Sequence, residues 1–214
     1  MGKKPFYLLG LLGLLVGASV VRAGEPDGKT PAAPVAVEDR IFHRGAWDLQ
    51  VAEGVEFSLQ TTSRIRPNID YQLTVIRLGY MLDDPHGSNF LRGNNELIVE
   101  VIGGPMFQGP GSALGGLSVV YRRNFLSPGA RVIPYLNVGA GGVYSDASHD
   151  RVQQALGSPF EFDLQAGVGA RFRLGLNWTV DAEFSYRHLS NARIVDRNLG
   201  TNGIGGLVGA SYSF

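Results

Sequence analysis

Over residues 160–187 the chain alternates with a period of two for longer than any other pattern in it persists. Phe160, Phe162, Leu164, Ala166, Val168, Ala170, Phe172 and Leu174 are interleaved with Glu161, Asp163, Gln165, Gly167, Gly169, Arg171 and Arg173. After a short turn at 175–177, Trp178, Val180, Ala182, Phe184 and Tyr186 alternate with Thr179, Asp181, Glu183, Ser185 and Arg187. Successive side chains of a strand point to opposite faces, so this segment reads as two consecutive strands, each with one apolar and one polar face. The chain ends on the same pattern, with Val208, Ala210, Tyr212 and Phe214 sharing a face.

Less regular runs of the same period at 46–58, 70–82, 95–107, 114–125 and 131–144 bring the count to eight strands. Most exceed the ~9–11 residues that a tilted strand needs to cross a bilayer, and an even number is usual for single-chain outer-membrane barrels. The expected fold is therefore all-β, an eight-stranded antiparallel transmembrane barrel. A soluble barrel of lipocalin type would instead turn its apolar face inward around a ligand. The membrane reading is favoured by strands of about 14 residues, by the terminal Phe214 with alternating apolar residues behind it, and by an N-terminal secretion signal. Eight strands leave an interior filled by side chains, which argues against a general diffusion porin.

That signal covers 1–23: Lys3 and Lys4, an apolar run from Phe6 to Val21 broken by Gly10, Gly13 and Gly17, then Val21, Arg22 and Ala23 as a small-residue cleavage site. Residues 24–42 hold Pro26, Pro31 and Pro34 and read as a flexible periplasmic leader, with the barrel over 43–214 and ordered structure from near Trp47. The whole chain has 19 basic and 19 acidic groups. Without 1–23 it loses Lys3, Lys4 and Arg22 and carries 16 against 19, a net charge of −3. No basic stripe remains for a nucleic acid. The absence of Cys excludes a disulfide scaffold and thiol-ligated zinc.

With both ends periplasmic, the turn at 175–177 lies on the periplasmic side, where turns are short, and the loops at 145–159 and 191–202 lie outside. Residues 83–94 are longer than a periplasmic turn requires. His188 and Ser190 continue the penultimate strand with the parity of Trp178 and Tyr186, so both face outward. Two residues apart on one face are ~6.8 Å apart, within reach of each other at a strand end. The eight residues from Trp178 to Tyr186 rise roughly 20 Å along the membrane normal, near the ~25 Å apolar band. His188 and Ser190 thus stand just above the outer aromatic girdle, a base and a nucleophile at the depth of the ester linkages of outer-leaflet lipid.

Tyr186, Arg187, His188, Leu189, Ser190, Asn191 and Ala192, followed by Asn198, Gly200 and a short final strand, resemble the lipid A 3-O-deacylases of Gram-negative outer membranes. The resemblance implies a serine hydrolase of the cell outer membrane acting on lipid A of lipopolysaccharide, without metal or cofactor. It implies Ser190 as nucleophile, His188 as general base and Asn191 as a contributor to the oxyanion hole. It also leaves a homodimer open. The family's pattern has a Glu fourteen residues after the His, where this chain has Asn202. Folding the hairpin brings Asn202 beside His188; Asp196 is the alternative source of a charge, and Glu183 faces the lumen. Arg193 and Arg197 are candidates for holding a phosphorylated glycolipid, since Arg matches phosphate bidentately; a genome's base composition explains the excess of Arg over Lys equally well. The competing class is a non-enzymatic structural or lipid-binding barrel.

Other groupings carry less. Ser148, His149 and Asp150 are adjacent in a loop and read as a solvated turn. Gly139, Ala140, Gly141 and Gly142 lie in a strand, where glycine suits tight barrel curvature and not a dinucleotide. His43 and His86 have no metal-ligand partners at suggestive spacing. Asp163, Arg171, Arg173, Asp181, Glu183 and Arg187 point inward and read as a polar network within the barrel.

Overall fold

The computed structural model describes residues 41–59 and 62–214. The signal segment 1–23 and nearly all of the leader lie outside the described residues. Eight antiparallel strands close into a barrel in chain order: β1 (Trp47–Ser58), β2 (Asp70–Met81), β3 (Gly93–Gln108), β4 (Ala113–Phe125), β5 (Val132–Ser145), β6 (Phe160–Arg173), β7 (Trp178–Ser190) and β8 (Thr201–Ser213). β8 pairs with β1 from Asp48 opposite Ser213 to Ser58 opposite Gly203, so no sheet edge is left open.

The alternation in the sequence is the inside–outside alternation of the wall. On β7, Trp178, Ala182, Phe184 and Tyr186 are exposed, while Thr179, Asp181, Glu183, Ser185 and Arg187 are buried. Aromatic side chains mark both boundaries of the outward apolar band. Trp47 packs on Tyr80 and Trp178 on Tyr212, each pair with centroids 5.0 Å apart, at the periplasmic ends of their strands. Phe57 meets Phe107 at 5.9 Å, and Tyr144, Phe160 and Phe162 form a chain at 5.3 and 5.2 Å, at the opposite ends. These are the two girdles of a membrane barrel. Gly141 serves curvature: a Cβ there would lie 2.1 Å from the Leu117 carbonyl oxygen on β4.

The lumen is filled in three layers. At mid-height Arg77 donates through Nε to Glu100 at 2.7 Å and through both terminal nitrogens to Glu183 at 2.7 and 3.0 Å. Glu183 also accepts from Tyr135 Oη at 3.0 Å and Asn137 Nδ2 at 2.9 Å. Arg187 joins Glu100 to Asp163, and Arg171 joins Asp48 to Glu96. Toward the outer mouth an apolar cluster includes Ile69, Tyr71, Met106, Leu114, Val143 and Leu189, capped by Ala155 and Leu156 from the β5–β6 loop. Toward the periplasm Ile41, Phe42, Ala46, Met81, Leu126 and Ile133 close the other end. Ile41 and Phe42 fall within the expected leader, yet both are buried, and the Phe42 carbonyl accepts from Asn94 Nδ2 at 2.7 Å. The packed body therefore begins before Trp47, because the barrel's lower mouth has room for an apolar plug.

The long β2–β3 connection has a structure of its own. Asp83 accepts from the backbone N–H of Asn95 at 2.7 Å and from its side chain at 2.5 Å, and a bridge joins His86 to Gly93. β3 thereby starts at Gly93, two residues earlier than its sequence pattern. On the outer side, Asp146 accepts from the Ser112 backbone at 2.7 Å and its hydroxyl at 2.5 Å, tying the β3–β4 turn to the β5–β6 loop. These bonds hold the Asp146 carboxyl down at about 2. The tie is therefore fully present above the ordinary Asp value of 3.8 and is lost as pH falls through about 2.

Arg77→Ala leaves Glu100 and Glu183 buried without their shared cation. Urea unfolding followed by gel mobility should show a loss of about 3–5 kcal/mol. Unchanged unfolding would mean that the lumen network does not support the barrel.

Candidate active site at the outer rim of β7 and β8

β7 and β8 form a hairpin whose register places His188 directly opposite Asn202, and β6 places Phe162 opposite Ser190. His188 Nδ1 lies 2.7 Å from Asn202 Oδ1. An amide oxygen only accepts, so Nδ1 carries the proton and Nε2 presents its lone pair. That lone pair faces the Ser190 hydroxyl, with Nε2 and Oγ 3.1 Å apart. The relay Asn202–His188–Ser190 is continuous, and it sits on the outward face at the end of the strand, level with the outer girdle. Tyr186, one outward position below His188, donates to the same Asn202 Oδ1 at 2.8 Å.

The loop after Ser190 is built around two of the sequence candidates. Asn191 is fully buried; its backbone N–H donates to Asn198 Oδ1 at 2.8 Å and its Nδ2 to the Arg197 carbonyl at 2.9 Å. Arg197 donates to the carbonyls of Ser148, Asp150, Gln153 and Gly157 at 3.0 to 3.1 Å, locking this loop to the β5–β6 loop. Its guanidinium is thus committed to backbone. Ser148 and Asp150 serve that contact, and the adjacent Ser148, His149 and Asp150 form no relay: Asp150 Oδ1 accepts from the Val152 N–H at 2.9 Å. Ala192 and Arg193 follow with φ of 51° and 65°, a left-handed turn immediately after the candidate nucleophile. Gly200, at φ 67°, lies under the imidazole, where a Cβ would be 3.1 Å from His188 Cε1.

Asp196 is exposed and, with Arg193, Asn198, Leu199, Ile65 and Gln154, lines a cavity of about 570 Å³ above the rim. The structure brings Asn202, and not Asp196, to His188. Glu183 lies inside, on Arg77. Among the described residues no group of three or more His, Cys, Asp or Glu could hold a metal ion.

A second depression runs down the outer face below His188. It has a volume of about 350 Å³ and is walled by Leu136 and Val138 of β5, Val168 of β6, and Phe184 and Tyr186 of β7. Ala166 forms its floor because it stands in register between two larger side chains, Val138 and Tyr186. Sequence periodicity marks Ala166, Val168, Phe184 and Tyr186 only as members of an apolar face, and Leu136 and Val138 only as part of a less regular run. Their alignment across three strands depends on register, which single-strand periodicity does not carry.

Residues 74–211 match the family model for lipid A 3-O-deacylase (PagL). The barrel is similar to the crystal structure of the outer membrane enzyme PagL, at 19% identity over 76% of this chain and 97% of that one, with a TM-score of 0.50. It is also similar to Neisserial surface protein A, at 16% identity over 79% and 98% of the two chains, with a TM-score of 0.53. No curated protein sequence matches it. The fold, the girdles and the family match place the protein in the outer membrane, and the chain belongs to the lipid A 3-O-deacylase (PagL) family.

Proposed function

We propose that the protein removes an ester-linked acyl chain, at the 3-position of lipid A, by serine chemistry at the outer leaflet. One observation carries this reading: the lipid-facing relay in which His188 is 2.7 Å from Asn202 and 3.1 Å from Ser190. Ser190 Oγ attacks the ester carbonyl while His188 Nε2 takes its proton. The tetrahedral oxyanion collapses, and the imidazolium returns the proton to the departing sugar oxygen. Water then attacks the acyl-serine, losing its proton to His188; the second tetrahedral oxyanion collapses, His188 returns the proton to Ser190 Oγ, and the fatty acid is released.

The donors for the oxyanion come from the turn after Ser190, where Ala192 and Arg193 adopt left-handed conformations. Asn191 contributes by holding that turn, since its own N–H groups are engaged within the loop. The depression floored by Ala166 leads down from His188 into the hydrocarbon and suits the acyl chain being cleaved. Arg193 lines the cavity above the rim, and its guanidinium would take a phosphate of the headgroup. Arg197 holds the loops instead.

Asn202 gives His188 its tautomer without a negative charge to stabilise the imidazolium. An Asn that imposes the wrong tautomer costs about 10⁴ in rate; here the amide oxygen faces the ring, which retains the right one. The missing charge is also the one observation favouring the other reading, a barrel that binds lipid A without turning it over.

Mass spectrometry of lipid A from cells expressing the wild type should show the loss of one acyl chain that Ser190→Ala leaves in place; identical profiles with folded protein would refute hydrolysis at this site. Ala166→Phe fills the depression, so cleavage of long-chain esters should fall about tenfold or more while that of short-chain esters persists. Equal loss on both would remove the depression from the substrate path.

A further inference from the structure

The amide of Asn202 poses a problem that a carboxylate does not. A carboxylate offers an acceptor whichever way it turns, whereas an amide offers Oδ1 on one side and the N–H donors of Nδ2 on the other. Only Oδ1 facing the imidazole leaves Nε2 free to take the Ser190 proton. With Nδ2 there instead, Nδ1 becomes the acceptor, the proton moves to Nε2, and the base is lost. The barrel must fix the rotation of one side chain at its lipid boundary.

We infer that Tyr186 is a positioning residue that selects the productive rotation of Asn202. Its hydroxyl donates to Asn202 Oδ1 at 2.8 Å, the same atom that accepts from His188 Nδ1 at 2.7 Å. The strand register explains the convergence: Tyr186 pairs with Ile204 and His188 with Asn202, so the tyrosine reaches diagonally one outward position along β8. A phenol is a good donor and a weaker acceptor, because its oxygen lone pair is delocalised into the ring. Turning the amide over would replace O–H···O with N–H···O and leave the phenolic proton directed at lipid, where an unmade hydrogen bond is costly. Tyr186 thus does at the membrane boundary what the charge of an acidic third member makes unnecessary.

This inference rests on the proposed Ser190–His188 mechanism, and the test separates the two. Tyr186→Phe should lower kcat about tenfold with KM nearly unchanged, since the ring still walls the acyl depression. In an Asn202→Glu or Asn202→Asp background the same substitution should change kcat by less than about twofold, because a carboxylate needs no orienting donor. A tyrosine that only packs in the girdle would cost the same in every background. Ser190→Ala inactive, with Tyr186→Phe costing equally in the wild-type and both carboxylate backgrounds, overturns the inference alone. Wild-type kcat retained in Tyr186→Phe, or folded carboxylate variants that are both inactive, also overturns it. Activity retained in Ser190→Ala overturns both the inference and the mechanism beneath it.

Discussion

Pairing of β8 with β1 is the constraint on which the rest of the structure depends. In hydrocarbon no backbone N–H or C=O can be left without a partner, and closing the sheet is the only way for strands to satisfy that. Once closed, each strand has one face toward lipid and one toward the lumen, and parity assigns every side chain to one of them. The inward charged residues of β1, β2, β3, β6 and β7 are then forced together inside, where Arg77, Arg171 and Arg187 meet Glu100, Glu183, Asp163, Asp48 and Glu96. Such groups are tolerable in the interior chiefly when paired, and each of these arginines meets at least two carboxylates, so the interior is a bonded network and not a channel.

The same parity sends His188 and Ser190 outward. A conventional enzyme sinks its catalytic groups in a cleft that excludes water. In the proposed mechanism the membrane does the excluding, and the rim where the apolar face gives way to polar loops would meet the part of a lipid where acyl chains give way to ester. The loops hold the segment after Ser190 in place. Arg197 joins the β7–β8 loop to four carbonyls of the β5–β6 loop, and Leu199 and Gly200 donate to Gln154 and Ala155 at 2.9 and 3.0 Å. The β5–β6 loop itself drops Ala155 and Leu156 into the barrel mouth. The turn after Ser190 is thereby anchored to the core.

How much of this is legible in the sequence follows from what each feature depends on. Parity is local, so the eight strands, the inward network and the outward His188 and Ser190 can be read from spacing. Asn202 can be read because a hairpin register follows from its two arms. Asp196 carries the charge that such a site ordinarily uses, but it lies in the exposed part of the loop, where register has no hold on it. Arg197 reads as a phosphate ligand because its type suits one; its carbonyl partners lie 40 to 49 residues away and carry no side-chain signature. Ile41 and Phe42 follow a proline-rich stretch and belong to no periodic run, so nothing local marks them as a plug. The depression on the outer face needs three strands aligned at once, and the Tyr186 bond to Asn202 needs a diagonal contact. The average hydropathy, near zero, conceals all of it by summing an apolar outer face and a polar inner one.

The central claim is that Ser190 is a nucleophile made reactive by His188 on the lipid-facing side of the barrel. The direct measurement is covalent capture: folded protein in membranes treated with a lipophilic fluorophosphonate, followed by peptide mass spectrometry. The account predicts a single adduct on Ser190 that disappears in His188→Ala. Unmodified Ser190 in the wild type, or equal labelling of Ser190 with and without His188, would contradict it.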